Sequence, residues 1–314
     1  MALPLDSAPF PNKQTPEPLQ SMNPGVFYAA LAYAIWGMFP IFFKQLGHVN
    51  PFEVVLHRLV WSLVFLLCVL VVLKRWRWVC DVARQPRVLA AFALSALLLS
   101  ANWLVYVWAV QNAHVVDASL GYFILPLVNV AFGFVFLHER PRPVQWLAVA
   151  LAAAGVVWLT LQAGRLPWVA LAVAFTFGIY GLLRKVAVLG TLEGLTLETL
   201  LLAPLAAAGL LWWAWHGQGV LVQGNASTVG LLLLAGPLTA ITLLLFAAGA
   251  RRIPMTTLGI LQYISPCLQM LLGVVLYGEA FDPVRAIGFY LIWLALLVYS
   301  VDSWWNSRKA TRVG

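Results

Sequence analysis

The side chains best suited to chemistry in this chain are a few ionisable groups inside long apolar segments. His57 and Arg58 lie near the start of one such segment, and Glu198 lies at a similar depth in another, 141 residues after His57. Ionisable groups are costly at membrane depth, so those that occur there are candidates for substrate binding or proton transfer. Glu198 is the best single candidate for a proton-linked or substrate-binding carboxylate.

Each of these three side chains also has a structural interpretation. Arg58 could extend its guanidinium group to the outer membrane interface, and His57 could be a packed, hydrogen-bonded core residue. Glu198 could stabilise the N-terminus of its own helix. His57 and Glu198 are expected to lie about 15–20 Å apart along the membrane normal, which argues against a direct acid–base pair.

A second group of residues combines amide side chains with aromatic rings. Asn102 and Tyr106 are spaced to share one face of a helix, and Trp36, Trp103 and Tyr180 could form flat apolar walls for an aromatic or amphipathic solute. Buried amides could instead join neighbouring helices. The predicted substrate-binding residues are Trp36, His57, Arg58, Asn102, Trp103, Tyr106, Tyr122, Tyr180, Glu198, Gln262 and Tyr263.

The composition indicates a polytopic membrane protein. Hydrophobic residues make up 62% of the 314 residues and charged residues only 10%, whereas soluble chains carry roughly 25% charged residues. The formal net charge is +8, but the basic residues lie between the apolar segments. Their placement is better explained by orientation in the bilayer than by binding of nucleic acid, so no nucleic-acid partner is expected.

The apolar segments predict ten transmembrane helices. A helix of about 20 residues crosses a hydrocarbon core of about 30 Å, and the alternating pattern of a membrane β-barrel is absent. The spans are expected near residues 26–46, 53–73, 88–110, 116–137, 144–161, 166–183, 195–214, 229–249, 256–277 and 284–303.

The distribution of Lys and Arg predicts the orientation of these spans. If the N-terminus is cytoplasmic, 15 Lys and Arg residues lie on the inner side, Arg184 and Lys185 among them, and three lie on the outer side. Because cytoplasmic connections are enriched in basic residues, both termini are predicted to be cytoplasmic.

A motif in the first half of the chain recurs about 140 residues later. The stretch DASLGYFILPLVNVAFGFVFLHERPRPV (117–144) returns as MTTLGILQYISPCLQMLLGVVLYGEAFDPV (255–284). The prolines of this motif are expected to kink their helices, and its glutamates, just before the next helix, are expected to stabilise a helix N-terminus. The structural motif consists of Pro126, Glu139, Pro266 and Glu279.

The repeat divides the chain into two halves of opposite orientation, because each half holds five spans, an odd number. The prediction is an all-α integral membrane protein of ten helices in two inverted five-helix repeats, an arrangement typical of secondary transporters. The expected boundaries are a disordered cytoplasmic tail at 1–24, repeats at 25–162 and 163–304, and a cytoplasmic C-terminal tail at 305–314.

Several stretches resemble a known family. They include AYAIWGMFPIFFK (32–44), LHRLVWS (56–62), NWLVYVWAVQNAHVVDASLGYFILPLVN (102–129) and TTLGILQYISP (256–266). The chain resembles the EamA-type drug/metabolite transporter superfamily and, within it, the RarD branch, often labelled chloramphenicol-sensitive protein. The resemblance implies ten helices, a bacterial inner-membrane location and export of small organic metabolites or drugs. Two positions depart from the family pattern, His138 in place of glycine and Leu125 in place of a polar residue.

The chain lacks the motifs of several other function classes. It has no phosphate-binding loop of an ATPase, no nucleophile elbow, and no Cys or His cluster with metal-ligand spacing, so no catalytic residue, metal or cofactor is predicted. The expected partners are a small-molecule substrate and membrane lipid, and proton coupling through Glu198 or His57 is a hypothesis. The alternatives are an intramembrane enzyme acting on amphipathic substrates and a membrane receptor.

Overall fold

The described part of the chain is built from α-helices alone. A computed structural model describes residues 23–74, 76–111, 115–162, 168–276 and 283–310, and these residues contain no strand. The helices are α1 Pro24–Lys44, α2 Pro51–Leu73, α3 Arg77–Ala83, α4 Pro86–Gln111, α5 Val115–Leu137, α6 Pro143–Gln162, α7 Trp168–Val186, α8 Thr191–Trp215, α9 Val220–Gln223, α10 Ala226–Ala250, α11 Met255–Gln262, α12 Ile264–Val275 and α13 Pro283–Ala310.

The long helices have the length and composition of membrane spans. Over the described residues, α1, α2, α6, α7, α8 and α10 qualify, as do Pro86–Tyr106 of α4 and Ala286–Asn306 of α13, and α5 adds the shorter apolar stretch Gly121–Leu137. The short helices α3 and α9 lie in connections. The protein is therefore an all-α, multi-pass membrane protein. Nine of the ten predicted spans coincide with one helix each, and the ends agree within a few residues except that α13 continues beyond its predicted end at residue 303.

Local sequence signals fix several helix starts. The side chains of Asn23, Asn50 and Asn225 accept hydrogen bonds from the backbone N–H groups of Gly25, Phe52 and Thr228, at 2.8–2.9 Å. Asparagine is a favoured N-cap because its oxygen satisfies an N–H group that has no partner within the helix. Proline follows the first two of these caps, at a position where its missing N–H costs nothing.

The ninth predicted span is not one continuous helix, which corrects the expectation for residues 256–277. It is broken at Tyr263 into α11 and α12. Pro266 explains the break, because it has no N–H to donate to the carbonyl group four residues earlier and its ring crowds that carbonyl. Pro266 therefore lies in the first turn of α12, whereas Pro126 remains inside the continuous helix α5.

The two ends of the chain and one motif residue fall partly outside the described residues. Residues 1–22 of the predicted tail at 1–24 lie outside the described residues. Glu279 also lies outside them. The predicted C-terminal tail begins at residue 305, but α13 continues to Ala310. The last helix therefore extends beyond its predicted apolar part.

One helix contact occurs twice, with the two halves of the chain exchanged. Gly37 of α1 packs so closely on α12 that an added Cβ would lie 2.7 Å from Cβ of Leu268. Gly178 of α7 packs in the same way on α5, where an added Cβ would lie 2.8 Å from Cγ1 of Val128. The two glycines are 141 residues apart and their partners 140. The contact therefore follows the spacing of the sequence repeat.

The main apolar core joins the two halves. Tyr33 of α1 and Leu125 of α5 pack in one buried cluster with Tyr180, Phe246 and Met255 of the second half. Further out, α6 packs against α13, and large apolar side chains such as Leu205 and Leu211 are exposed on the surface. An apolar exterior is the expected solution for a protein surrounded by lipid.

The closest approach of α5 and α11 gives a test of this packing. Gly259 lies against α5 so that an added Cβ would lie 2.6 Å from the carbonyl oxygen of Pro126, whereas an added Cβ at Gly230 would meet nothing within 4 Å. Gly259→Ala should lower the stability by roughly 1–3 kcal/mol, because the backbones must separate. Gly230→Ala, also within a helix, should leave the stability unchanged or raise it slightly.

The measurement is thermal unfolding of the purified variants in detergent. Equal melting temperatures for the two variants would contradict the close approach of α5 and α11.

Candidate substrate cavity

A large cavity lies between helices of both halves. Its volume is about 730 Å³, and its wall is formed by α1, α2, α4 and α5 from the first half and by α7, α10, α11 and α12 from the second. This volume is in the range of small-molecule binding sites. The cavity reaches the connection between α1 and α2 at Leu46 and Gly47. Seven predicted substrate-binding residues line it, namely Trp36, Arg58, Asn102, Trp103, Tyr106, Tyr122 and Gln262.

Arg58 forms part of the cavity wall and packs within the protein. Its side chain is buried, and its Nε donates a hydrogen bond to Oγ1 of Thr239 at 2.9 Å. The guanidinium carbon lies 3.7 Å from the ring centroid of Trp103 and 5.3 Å from that of Phe43. A cation over an aromatic face is attracted by the ring's electron density. Contacts from three other helices therefore hold the charge of Arg58 in place.

Aromatic rings form a continuous surface beside Arg58. The rings of Trp103 and Tyr106 meet edge to face at 6.0 Å, and Tyr106 meets Tyr122 in the same way at 6.0 Å. These rings belong to α4 and α5. Trp36 of α1 adds another ring to the wall and packs against Phe177 at 5.8 Å. The cavity can therefore hold a flat apolar group next to a fixed positive charge.

The amide side chains of the wall also join helices. Nδ2 of Asn102 donates to the carbonyl oxygen of Val173 at 2.9 Å and thereby links α4 to α7. Nδ2 of Asn129 donates to Oε1 of Gln262 at 2.8 Å and links α5 to α11. Asn102 and Gln262 thus have both roles considered from the sequence, since they line the cavity and hold helices together.

Two predicted site residues, His57 and Tyr263, lie outside the cavity wall and pack within the protein. Nδ1 of His57 accepts a hydrogen bond from Trp61 at 3.1 Å, and its Nε2 lies 3.8 Å from a carboxylate oxygen of Glu53. The hydroxyl group of Tyr263 donates to the carbonyl oxygen of Phe123 at 3.2 Å. Both side chains are fully buried and have a structural explanation.

Glu198 and Tyr180 also lie outside the cavity wall, in a buried polar cluster. Oε1 of Glu198 accepts a hydrogen bond from Ser95 at 2.5 Å and lies 3.6 Å from Nη1 of Arg184. Oε2 accepts a hydrogen bond from the hydroxyl group of Tyr180 at 3.5 Å. His57 and Glu198 thus have different partners, and no direct acid–base pair joins them.

Packed rings separate this polar cluster from the cavity. Trp36 on the cavity wall lies 5.6 Å from Phe246, and Phe246 stacks on Tyr180 at 6.1 Å with an interplanar angle of 14°. Glu198 lies on the far side of Tyr180. A rearrangement of these rings would be needed to bring a solute in the cavity into contact with the carboxylate.

Arg184 is a residue whose role the sequence did not reveal. The charge distribution predicts a cytoplasmic Arg184, but the side chain is fully buried at 0% exposure and faces Glu198. Its Nη2 also donates to the carbonyl oxygen of Thr191 at 3.0 Å. One sequence signal was present, because Tyr180 and Arg184 are four residues apart and share a helix face.

Glu139 caps a helix in the other half of the protein. One carboxylate oxygen accepts a hydrogen bond from the N–H of Met255 at 2.7 Å, and the other accepts from the N–H and the hydroxyl group of Thr256, each at 3.1 Å. The predicted role at a helix N-terminus is present, but the helix is α11 and not the α6 that follows Glu139 in the chain. Lys185 lies 3.8 Å from the same carboxylate.

The Glu139 contacts lie at the end of the protein opposite the α1–α2 connection. They involve the last turn of α7 and the loop between α10 and α11, where Nζ of Lys185 donates to the carbonyl oxygen of Ile253 at 2.5 Å. The first turn of α1 lies at this same end, because Gly25 packs against Arg252. The other end of α1 reaches the cavity opening. The cavity therefore reaches the α1–α2 end of the helices, and the described residues of its wall include none of those around Glu139 at the other end.

Comparisons with known proteins agree with this architecture. The sequence profile of the EamA-like transporter family matches the chain twice, at residues 23–161 and 166–301. An uncharacterized transporter of Pseudomonas aeruginosa is 43% identical over 94% of this chain and 99% of its own length. Protein RarD of Salmonella typhi is 42% identical over 91% of this chain and 97% of its own.

A solved crystal structure that is 23% identical has the same fold, with a TM-score of 0.69 over 90% of this chain and 99% of that chain. The family profile covers most of the chain, and the relatives span nearly all of it. The protein therefore belongs to the EamA-like transporter family and is a multi-pass transporter of the bacterial inner membrane.

Proposed function

We propose that this protein exports small organic solutes by alternating access between two inverted halves, residues 25–162 and 163–304. The observation that carries the proposal is the cavity of about 730 Å³ whose wall comes from both halves. Transporters built from inverted repeats bind their substrates between the repeats. One buried arginine among aromatic rings suits an amphipathic solute, since the rings supply apolar contact area and the polar group fixes the orientation.

The proposal assigns an outward-facing state to this conformation. The predicted orientation has both termini in the cytoplasm, so the α1–α2 connection lies on the outer side. The cavity reaches that connection, while the Glu139 contacts close the opposite, cytoplasmic end. The outward-facing cavity would release an exported solute to the outside.

The cytoplasmic closure consists of contacts that a change of state could break. Glu139 belongs to the first half, whereas Met255, Thr256 and Lys185 belong to the second. Opening towards the cytoplasm would separate this carboxylate from its three partners. A carboxylate is a strong acceptor at a helix N-terminus, so these bonds stabilise the closed end without preventing its opening.

The proposal assigns proton coupling to Glu198. Its negative charge faces Arg184 and accepts hydrogen bonds from Ser95 and Tyr180. A proton on Glu198 would remove the charge that Arg184 pairs with, and it would weaken the attachment of Tyr180 to the polar cluster. Because Tyr180 stacks on Phe246 at the edge of the cavity, protonation would loosen the ring packing between the cavity and the cytoplasmic end.

Thiol labelling tests the orientation and the open side. With Cys68, Cys80 and Cys267 replaced by alanine, a single cysteine is placed at Val55 on the cavity wall or at Val188, which is 79% exposed beyond α7. A membrane-impermeant maleimide should label Val55→Cys from outside intact cells, because the cavity opens outward. It should label Val188→Cys only in inside-out vesicles. Labelling of the two positions from the opposite sides would contradict the proposed orientation.

The pH dependence of transport tests the coupling. Efflux from proteoliposomes should be faster when the outer side is acidic. Glu198→Gln should abolish this pH dependence, because the amide of glutamine does not take up or release a proton in this pH range. Asp81→Asn, a change at an exposed carboxylate in α3, should leave the dependence intact. If the pH dependence survives both Glu198→Gln and His57→Gln, neither residue couples protons to the solute.

A further inference from the structure

We infer that the solute bound in this cavity is an organic monoanion whose charged group pairs with Arg58. The inference rests on the proposed transport function and adds the chemical class of the solute. It is carried by the charge of the cavity wall, by the hydrogen bonds of Arg58, and by the rings around it.

The described residues of the cavity wall include cations and no carboxylate. Lys44 and Arg58 line the cavity, and none of the other lining residues is an aspartate or glutamate. The buried charge of Arg58 makes the potential beside it positive, because surroundings of low polarity screen that charge weakly. An anion is attracted into this space, and a cation is repelled from it.

Arg58 differs in one respect from Arg184, the other buried arginine. Both side chains are at most 5% exposed. Arg184 faces the carboxylate of Glu198 at 3.6 Å, whereas no described carboxylate forms an ion pair with Arg58. An unpaired buried charge is costly. The missing partner of Arg58 is therefore expected to come with the solute.

The guanidinium group of Arg58 is prepared for such a partner. Of its five N–H donors, the one on Nε is used by Thr239, and among the described residues the two terminal nitrogens form no hydrogen bond with the protein. Two adjacent terminal N–H groups bind a carboxylate or a similar planar oxyanion in a bidentate manner. The contact with Trp103 holds the group in place, so little side-chain freedom is lost on binding.

The surroundings define the rest of the solute. Trp103, Tyr106 and Tyr122 place aromatic surface next to the guanidinium group, and Trp36 provides another ring on the cavity wall. The Nδ2 group of Asn102 is already used by Val173 and Thr176 of α7. The cavity thus offers one strong anion site and a large apolar surface, which matches an aromatic or otherwise apolar body with a single negative charge.

The test compares three probes with the same phenyl ring and three-carbon chain but an anionic, a neutral or a cationic end group: 3-phenylpropionate, 3-phenylpropanamide and 3-phenylpropylamine. Binding to the purified full-length protein at neutral pH is followed by quenching of tryptophan fluorescence, since Trp36 and Trp103 line the cavity. The carboxylate should bind about 10- to 100-fold more tightly than the amide, the range expected for hydrogen bonds to a charged group. The amine should bind more weakly still.

Variants assign the difference to one side chain. Arg58→Gln should reduce the affinity for the carboxylate to that for the amide, and Arg58→Lys should restore part of the preference because it keeps the charge without the bidentate geometry. Arg252→Gln, a change at an exposed arginine outside the cavity, should preserve the full preference. The comparison of the three probes on the unchanged protein stands even if Arg58→Gln does not fold.

Several results would overturn the assignment of an anion. They are equal binding of amide and carboxylate, an unchanged preference in Arg58→Gln, and no binding of the carboxylate at millimolar concentration. Flux of the same probes into proteoliposomes tests the transport proposal separately. Protein-dependent flux of the amide without any preference for the carboxylate would support the transport proposal and contradict the proposal that the solute is an anion. Binding of the carboxylate without flux would support the anion site at Arg58 and contradict the transport proposal.

Discussion

In the interior of a membrane, every buried polar group needs a partner within the protein, because water and lipid supply none. The Nδ2 groups of Asn102 and Asn129 find such partners across helices, and the carboxylate of Glu198 does so through Ser95, Tyr180 and Arg184. These bonds determine which helices lie together. Arg58 is a buried cation that forms no ion pair with a described carboxylate, and it lies on the wall of the cavity.

The same requirement connects the fold to transport. The polar contacts of Glu139 run between the halves, and the cavity lies between the halves as well, so a movement of one half against the other would change both. An anionic solute would also make the membrane potential a driving force. Moving one negative charge out of a cell with a negative interior releases about 2.3 kcal/mol per 100 mV. Export of a monoanion could therefore proceed even before any contribution from protons.

The sequence predicted the helices well, because the apolar segments have to match the thickness of the bilayer. It also indicated Arg58 and the aromatic residues near it as candidate binding residues, since polar and aromatic side chains stand out in apolar helices, and these residues line the cavity. It did not predict the break at Tyr263, although Pro266 was visible, because a proline three residues further along is compatible with either a kink or a break. The apolar pattern thus predicts where a helix lies more reliably than where that helix is broken.

Partners across the fold were harder to predict than the elements themselves. Glu139 was expected at a helix N-terminus, but the chain order could not show that this helix is α11. Arg184 lies near a helix end and was counted as a cytoplasmic charge, while its burial against Glu198 depends on how α7 and α8 pack. Equally, no spacing in the sequence shows that Glu198 and Tyr180 lie behind a layer of rings. These relations depend on the tertiary packing of helices, which periodicity does not specify.

The central claim is that the cytoplasmic end must open during each transport cycle. It is tested most directly by linking Glu139→Cys to Lys185→Cys with a short, reducible bifunctional thiol reagent in a background free of other cysteines. The account predicts that solute flux in proteoliposomes stops on cross-linking and returns on reduction, and that each single-cysteine variant is unaffected by the reagent. Undiminished flux through the fully cross-linked protein would contradict alternating access at this end.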